Sequence, residues 1–259
     1  ILMYLEDLDD GQRFIHLARR ITGQTGKPIL AIKTGRTAEG AAASASHTGA
    51  LAGTDEVYEA ILAQAGVLRV DTVQELFELA MAFGAQAMPR DRRVAIVTNA
   101  GGPGIMATDA CVRQGLLLAE LSASTRASWQ DVLPPGAGLH NPVDVIGDAR
   151  SDRYAAALQG VLADDGVDAA LVILTPQSMT DIEAVAQVVV DAARNHPEKP
   201  VLASFMGGAD VAPGIEVLRA HAIPHYGFPE NAARALGAMA RYQAWVARPR
   251  TEEIVFEVD

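Results

Sequence analysis

Only one cysteine, Cys111, occurs in 259 residues, so no internal disulfide can form and the fold needs no oxidising compartment. Basic residues are also scarce. The chain sets 21 Lys and Arg against 32 Asp and Glu, a formal charge of -11, which argues against a nucleic acid held through its phosphates by broad electrostatics. Long hydrophobic runs are missing. The most apolar internal stretch, Ala169-Ala170-Leu171-Val172-Ile173-Leu174, is strand-length and far short of the roughly 20 residues a spanning helix requires. Ile1-Leu2-Met3-Tyr4-Leu5-Glu6-Asp7 has neither the basic start nor the long apolar core of an export signal, so the expected location is cytoplasmic, with no membrane partner. His140, His221 and His225 lack metal-ligand spacing, and no metal site is expected.

What is present is ample core material, 49% hydrophobic residues, enough for one large domain or two of ordinary size. Residues 1–5 read as a strand; Phe14, Ile15, Leu17, Ala18 and Ile21 then recur at helical spacing before Gly23 and Gly26. Residues 29–33 form a buried-type strand, followed by a loop to Thr54-Asp55, a helix ending at Gly66, a strand over 67–70 and a helix opened by Asp71-Thr72. Met88-Pro89-Arg90-Asp91-Arg92-Arg93 is a polar, proline-marked joint. Beyond it strands are expected at 94–97, 116–119, 169–174, 200–205 and 223–226, with helices between them and a loop over 136–148. Such alternation predicts an α/β fold with mainly parallel, doubly wound sheets. Residues 1–88 are expected to be the C-terminal part of one domain whose beginning lies outside this sequence, and residues 89–259 a second, flavodoxin-like domain.

Ligands of such sheets gather at the carboxyl ends of the strands. Three features are expected there. Residues 41–55 set His47 among alanines, glycines and small hydroxyls; an unprotonated imidazole, with an ordinary pKa of about 6.5, is a competent nucleophile toward phosphorus. The competing reading is an Ala-rich surface loop that happens to hold a histidine. Thr98-Asn99-Ala100-Gly101-Gly102-Pro103-Gly104 runs from a strand into a helix, where free backbone N–H groups and the helix dipole can hold a phosphate on Gly101, Gly102 and Gly104. A plain tight turn explains that stretch as well. Glu6 ends the first strand and could fix the tautomer of an imidazole and offset its charge, or could be one more member of an acidic turn with Asp7, Asp9 and Asp10. Asn141-Pro142-Val143-Asp144 is a further loop that could meet the site, although Asx-type turn chemistry accounts for it equally.

Ser46-His47-Thr48-Gly49-Ala50-Leu51-Ala52-Gly53 closely resembles the phosphohistidine loop of the NDP-forming acyl-CoA synthetases, relatives of succinyl-CoA synthetase. Tyr4-Leu5-Glu6 with Asp10-Gly11, Lys33-Thr34-Gly35-Arg36, the Gly101 stretch and Asn141-Pro142-Val143-Asp144 look like further motifs of that family, in the family's order. The resemblance implies two flavodoxin-like domains. It also implies a reaction in which acyl-CoA, phosphate and ADP or GDP are interconverted with acid, CoA and nucleoside triphosphate, through an acyl phosphate and a phosphorylated histidine. His47 then matches the carrier and Glu6 the glutamate that hydrogen-bonds it. The helix after Gly101 matches one of two that grip the phosphate, and Ser46, Thr48, Gly49, Asn141 and Asp144 fall on loops around the site.

In succinyl-CoA synthetase the two corresponding domains lie on separate subunits, whereas here they follow one another, as in ADP-forming acetyl-CoA synthetase and its fused relatives. The resemblance implies that CoA and ATP or ADP with Mg act as substrates through CoA-binding and ATP-grasp domains outside this sequence, in cis or on a partner subunit. No cofactor is expected to be bound tightly by this chain, and an oligomeric assembly is expected. The alternative is a non-catalytic regulatory module, like the synthetase-like part of some bacterial protein acetyltransferases, in many of which the loop histidine is replaced. A flavodoxin-like FMN or small-ligand binder is a third reading, resting on fold alone.

Overall fold

The computed structural model describes residues 1–48 and 54–249, with the backbone alone described for 44–48. Its first sheet is built from β1 (Leu2–Leu5), β2 (Leu30–Lys33) and β3 (Leu68–Val70), all parallel in the order β1-β2-β3. Alternation along β2 explains how the sheet is covered. Ile29 and Ala31 face a core shared with α1 (Gly11–Thr25) and α3 (Asp55–Ala65), while Leu30 and Ile32 face α4 (Val73–Ala85). The helix ends carry local signals. Asp10 accepts the Arg13 N–H at 2.9 Å and Thr72 that of Glu75 at 3.0 Å, while α1 and α3 close on Gly26 and Gly66 in the left-handed region.

The second sheet contains β4 (Arg93–Thr98), β5 (Leu117–Leu118), β6 (Val143–Asp144), β7 (Ala169–Leu174) and β8 (Val201–Phe205). Its order is β5-β4-β7-β8, and a parallel bridge from Ala203 to His225 extends it by one position. That is the doubly wound order expected of a flavodoxin-like domain, with the direction of winding reversing between β4 and β7. One face is packed by α7 (Ser151–Ala163) and α8 (Ile182–Asn195), the other by α5 (Gly101–Arg113) and α10 (Pro229–Ala247). Short α6 (Ala123–Ser128) follows β5, and α9 (Ala212–Ala220) packs on α8.

Helix α10 also reaches α4. Glu78 accepts hydrogen bonds from Asn231 at 2.6 Å and Arg234 at 3.1 Å, and the Phe83 and Tyr242 rings meet edge to face at 5.7 Å. Cys111 lies buried on α5, where burial pushes its thiol up to about 12, so it stays an unreactive core residue near neutral pH.

Three local expectations change. The loop expected after β2 contains α2 (Ala38–Thr48), consistent with five alanines in that span and their high helix propensity. The loop over 136–148 supplies β6, which pairs with Val97 and Thr98 beyond the point where β5 stops. The strand expected at 223–226 shrinks to the His225 bridge.

At the opposite, amino ends of the strands, Asp168 is 1% exposed and accepts from the Arg93 backbone at 3.0 Å, from Arg93 Nε and Nη2 at 2.8 Å each, and from Arg90 Nε at 3.3 Å. Burial pushes this carboxyl up, but the bonds from Arg93 overcome it and leave the group below the ordinary carboxylate range. Its stabilising effect is therefore complete above the unfolded pKa of about 3.9 and is lost as pH falls through the lower folded value. Asp168→Asn is expected to cost about 2 kcal/mol and to flatten the acid limb of a stability-against-pH curve. An unchanged limb would assign the acid sensitivity elsewhere.

Candidate functional site

Polar residues collect at the carboxyl ends of both sheets, where parallel strands turn into helices. On the first sheet Lys33 lies opposite Leu5 and is 3% exposed. Its ammonium donates to the Thr34 carbonyl and sits 4.2 Å from the centroid of the Tyr58 ring. The Tyr58 hydroxyl donates to Asp7, whose Oδ1 also accepts the Leu8 N–H at 2.7 Å. Those bonds, the Tyr58 one foremost, hold Asp7 below the ordinary carboxylate range. Glu6, half-buried, follows β1 directly.

Burial draws the Lys33 ammonium below its ordinary value, against the opposing pull of Asp7, Asp55 and Glu6. Beside it Arg69, whose side chain is 7% exposed, pairs with Asp55 and with Glu59 at 2.8 Å. Arg36 pairs with Asp55 at 3.4 Å and with Asp71. Asp55 is held below the ordinary carboxylate range, chiefly by Arg69. Arg36 precedes α2 and Asp55 opens α3, so these pairs tie together the two ends of the segment that carries His47. The backbone of His47 lies near the end of α2, with Ser46 and Thr48 on either side. Their side chains, and Gly49 altogether, fall outside the described residues.

On the second sheet the winding reversal falls between β4 and β7, and Asn99 spans it. Its amide donates to Thr175 O at 2.8 Å and accepts from Thr175 N at 2.9 Å, leaving the side chain 3% exposed with both ends satisfied. Helix α5 begins two residues later. Ala100 provides no side-chain cap, so the first N–H groups, on Gly101 and Gly102, lack both a capping side chain and an intrahelical acceptor. Both glycines are exposed. A Cβ on Gly102 would meet open space, and one on Gly101 would come 3.5 Å from Asp144 Oδ2. Gly104 is different: it is buried, and a Cβ there would lie 3.0 Å from Thr98 Cγ2. It serves the packing of helix on strand, while Gly101 and Gly102 face outward.

Asp144 reaches this edge through β6. Its Oδ1 accepts the Ile146 N–H at 2.8 Å, and Ile146 has φ 70, a left-handed conformation uncommon for a β-branched residue. Asn141 points into the sheet. Its Oδ1 accepts from Ile96 N at 2.9 Å while Nδ2 donates to Val94 O at 2.7 Å and Ala119 O at 3.1 Å. Its side chain thus completes the β4 ladder between β5 and β6.

The structure therefore gathers Gly101, Gly102, Gly104 and Asp144 at the carboxyl edge of one sheet, sets Asn141 inside that sheet, and places Glu6 at the strand end of the other. Lys33 and Asn99 carry no functional assignment in the sequence reading. A lysine ending an otherwise apolar strand was the available signal for the first; nothing in the local sequence marks Asn99 as a bridge between strands far apart in the chain. Among the described residues no group of three His, Cys, Asp or Glu side chains could hold a metal ion, and no helix is long and apolar enough to cross a membrane.

Two parallel sheets, one with a buried lysine and carboxylates at its strand ends and one with an uncapped glycine helix at its switch point, define a two-sheet α/β protein with polar groups at its carboxyl edges. Residues 1–83 match the family model described as succinyl-CoA ligase like flavodoxin domain, and residues 94–250 match that of the Ligase-CoA domain. The chain belongs to this CoA-ligase family. It is 42% identical over 246 residues to the 4-hydroxybutyrate–CoA ligase (ADP-forming) of Nitrosopumilus maritimus, a match covering 95% of this chain and 35% of that protein. It is 40% identical over 244 residues to acetate–CoA ligase (ADP-forming) II subunit alpha of Pyrococcus furiosus, covering 93% and 53%. A solved structure of the Ca. Korarchaeum cryptofilum dinucleotide forming acetyl-coenzyme A synthetase 1, in complex with phosphate and ADP, superposes with a TM-score of 0.89 at 34% identity, covering 96% of this chain and 55% of that one. The chain thus spans between a third and little more than half of these relatives.

Proposed function

We propose that this chain is the histidine-bearing and ligase portion of an ADP-forming acyl-CoA synthetase, an acid–thiol ligase, and that His47 carries the phosphoryl group between its half-reactions. The observation carrying the reading is that nearly all of this chain, 95% and 93% of it, matches part of relatives named as ADP-forming CoA ligases. The strand-end geometry supports it independently: Gly101 and Gly102 present N–H groups to an anion, and Glu6 follows a strand whose neighbour leads into the His47 helix.

In the proposed cycle, phosphate oxygen displaces CoA from the acyl carbon, giving an acyl phosphate and the thiol. An unprotonated ring nitrogen of His47 then attacks phosphorus: the N–P bond forms as the acyl O–P bond breaks, and the carboxylate leaves with the bonding electrons. Glu6 accepts the N–H of the other ring nitrogen and offsets the charge of the phosphorylated imidazole. A terminal phosphate oxygen of ADP takes the phosphoryl group and restores neutral His47. CoA and nucleotide, the latter as its magnesium complex, act as substrates on CoA-binding and ATP-grasp domains in cis or on a partner subunit.

The reading is tested by incubating the chain, assembled with its nucleotide-binding part, with ATP labelled at the γ-phosphate. A chain-bound label stable in base and lost in acid is the expected result. No covalent label would overturn the catalytic reading in favour of a regulatory module, and an acid-stable, hydroxyl-linked label would overturn the histidine carrier.

A further inference from the structure

Lys33 is a buried cation that the cycle above leaves without a role. Its ammonium lies at the carboxyl end of the middle strand of the first sheet, 3% exposed, with the Tyr58 ring on one side and the Thr34 carbonyl as its hydrogen-bond acceptor. Among the described residues it makes no ion pair. The two arginines near it differ: Arg36 is paired with Asp55 and Asp71, and Arg69 with Asp55 and Glu59. A charge withdrawn from water without a paired carboxylate is costly to keep. Its place is therefore informative. The Tyr58 ring of α3 faces it, the charges acting on it are those of Glu6 and Asp7 after β1, Asp55 on α3 and Arg69 on β3, and three residues after it the chain passes Arg36 into the helix that carries His47.

Resting on the phosphohistidine reading, we propose that Lys33 is an electrostatic positioning residue for that step: its buried ammonium offsets the carboxylates of Glu6, Asp7 and Asp55, so that a phosphoryl dianion can be accepted at the same strand ends. Three carboxylates converge there, and a phosphoryl group brings about two further negative charges at neutral pH. The paired arginines neutralise Asp55 first, as the strong hold of Arg69 on that carboxyl shows. Lys33 adds its positive charge to the field at Glu6 and Asp7. It acts through the field rather than by contact, because its ammonium is engaged with Thr34 and Tyr58.

The test is the rate of histidine phosphorylation from ATP against pH, measured on the assembled enzyme carrying Lys33→Met, Lys33→Gln or Lys33→Arg, with thermal melting recorded for each. Removing a cation stabilises a protonated imidazole, so less of the histidine is nucleophilic at a given pH. Both neutral variants are expected to phosphorylate at least about tenfold more slowly at pH 7 and to move the rising limb of the profile to higher pH, while Lys33→Arg keeps the limb in place. A folded Met or Gln variant with an unmoved limb overturns the proposal, as does an Arg variant whose limb shifts with theirs. Label absent from the unsubstituted enzyme overturns the underlying phosphohistidine reading as well, which separates the two failures.

Discussion

His47→Ala is expected to abolish covalent labelling of the chain from ATP and to lower acyl-CoA synthesis by about 10⁴-fold or more, the scale expected when a covalent nucleophile is removed. The neighbouring groups give no substitute. Ser46 and Thr48 bear hydroxyls that need a base to become nucleophilic, and either would yield an acid-stable ester, distinguishable by its chemistry from a phosphoramidate. Glu6→Gln should produce a graded effect. The amide keeps an oxygen that can accept an imidazole N–H but loses the negative charge that favours a phosphorylated, positively charged ring, so phosphorylation should slow by about 10–100-fold, equivalent to roughly 1.4–2.7 kcal/mol. The measurement is a quench-flow time course of label on each variant. Full labelling of His47→Ala would place the carrier elsewhere, and wild-type kinetics in Glu6→Gln would return Glu6 to an ordinary acidic turn beside Asp7.

The architecture was legible where local rules and tertiary packing agree. Strand β7, six consecutive buried apolar residues, could hardly be anything but the middle of a parallel sheet, and Gly26, Gly66 and Thr72 mark helix ends that the structure retains. Where a contact is made by residues distant in sequence, the sequence pattern carried less. Val143 and Asp144 are too few to show strand periodicity, and they become β6 because β4 extends beyond β5. The small residues of the His47 stretch suit a loop, yet the same alanines favour helix, and α2 carries the stretch as far as Thr48. At the site, the glycines before α5 were conspicuous, but their division into two outward-facing positions and one packing position depends on Thr98 and Asp144. Lys33 shows the same limit from the other side: the apolar run before it marks the strand, whereas its burial depends on Tyr58 from a helix further along the chain.

Asn141→Ala is expected to act on the fold more than on substrate binding. The side chain makes three hydrogen bonds to backbone groups of β4 and the segment after β5, and truncation would leave one N–H and two carbonyls without those partners in a region where water enters poorly. At about 1 kcal/mol for each bond lost, the cost comes to about 3 kcal/mol, or roughly 6–12 °C in melting temperature for a domain of this size. Asn141→Asp gives a sharper result. The carboxylate can still accept the Ile96 N–H, but it turns an acceptor toward the oxygens of Val94 and Ala119, so this nearly isosteric change should destabilise at least as much as alanine. Thermal melting and phosphorylation of the folded fraction, measured together below the lowered melting temperature, separate the two roles. A large loss of stability with labelling retained fits a residue that closes the sheet and so carries Asp144 to the edge beside Gly101. Unchanged melting with labelling lost would make Asn141 a direct contact of the reacting groups.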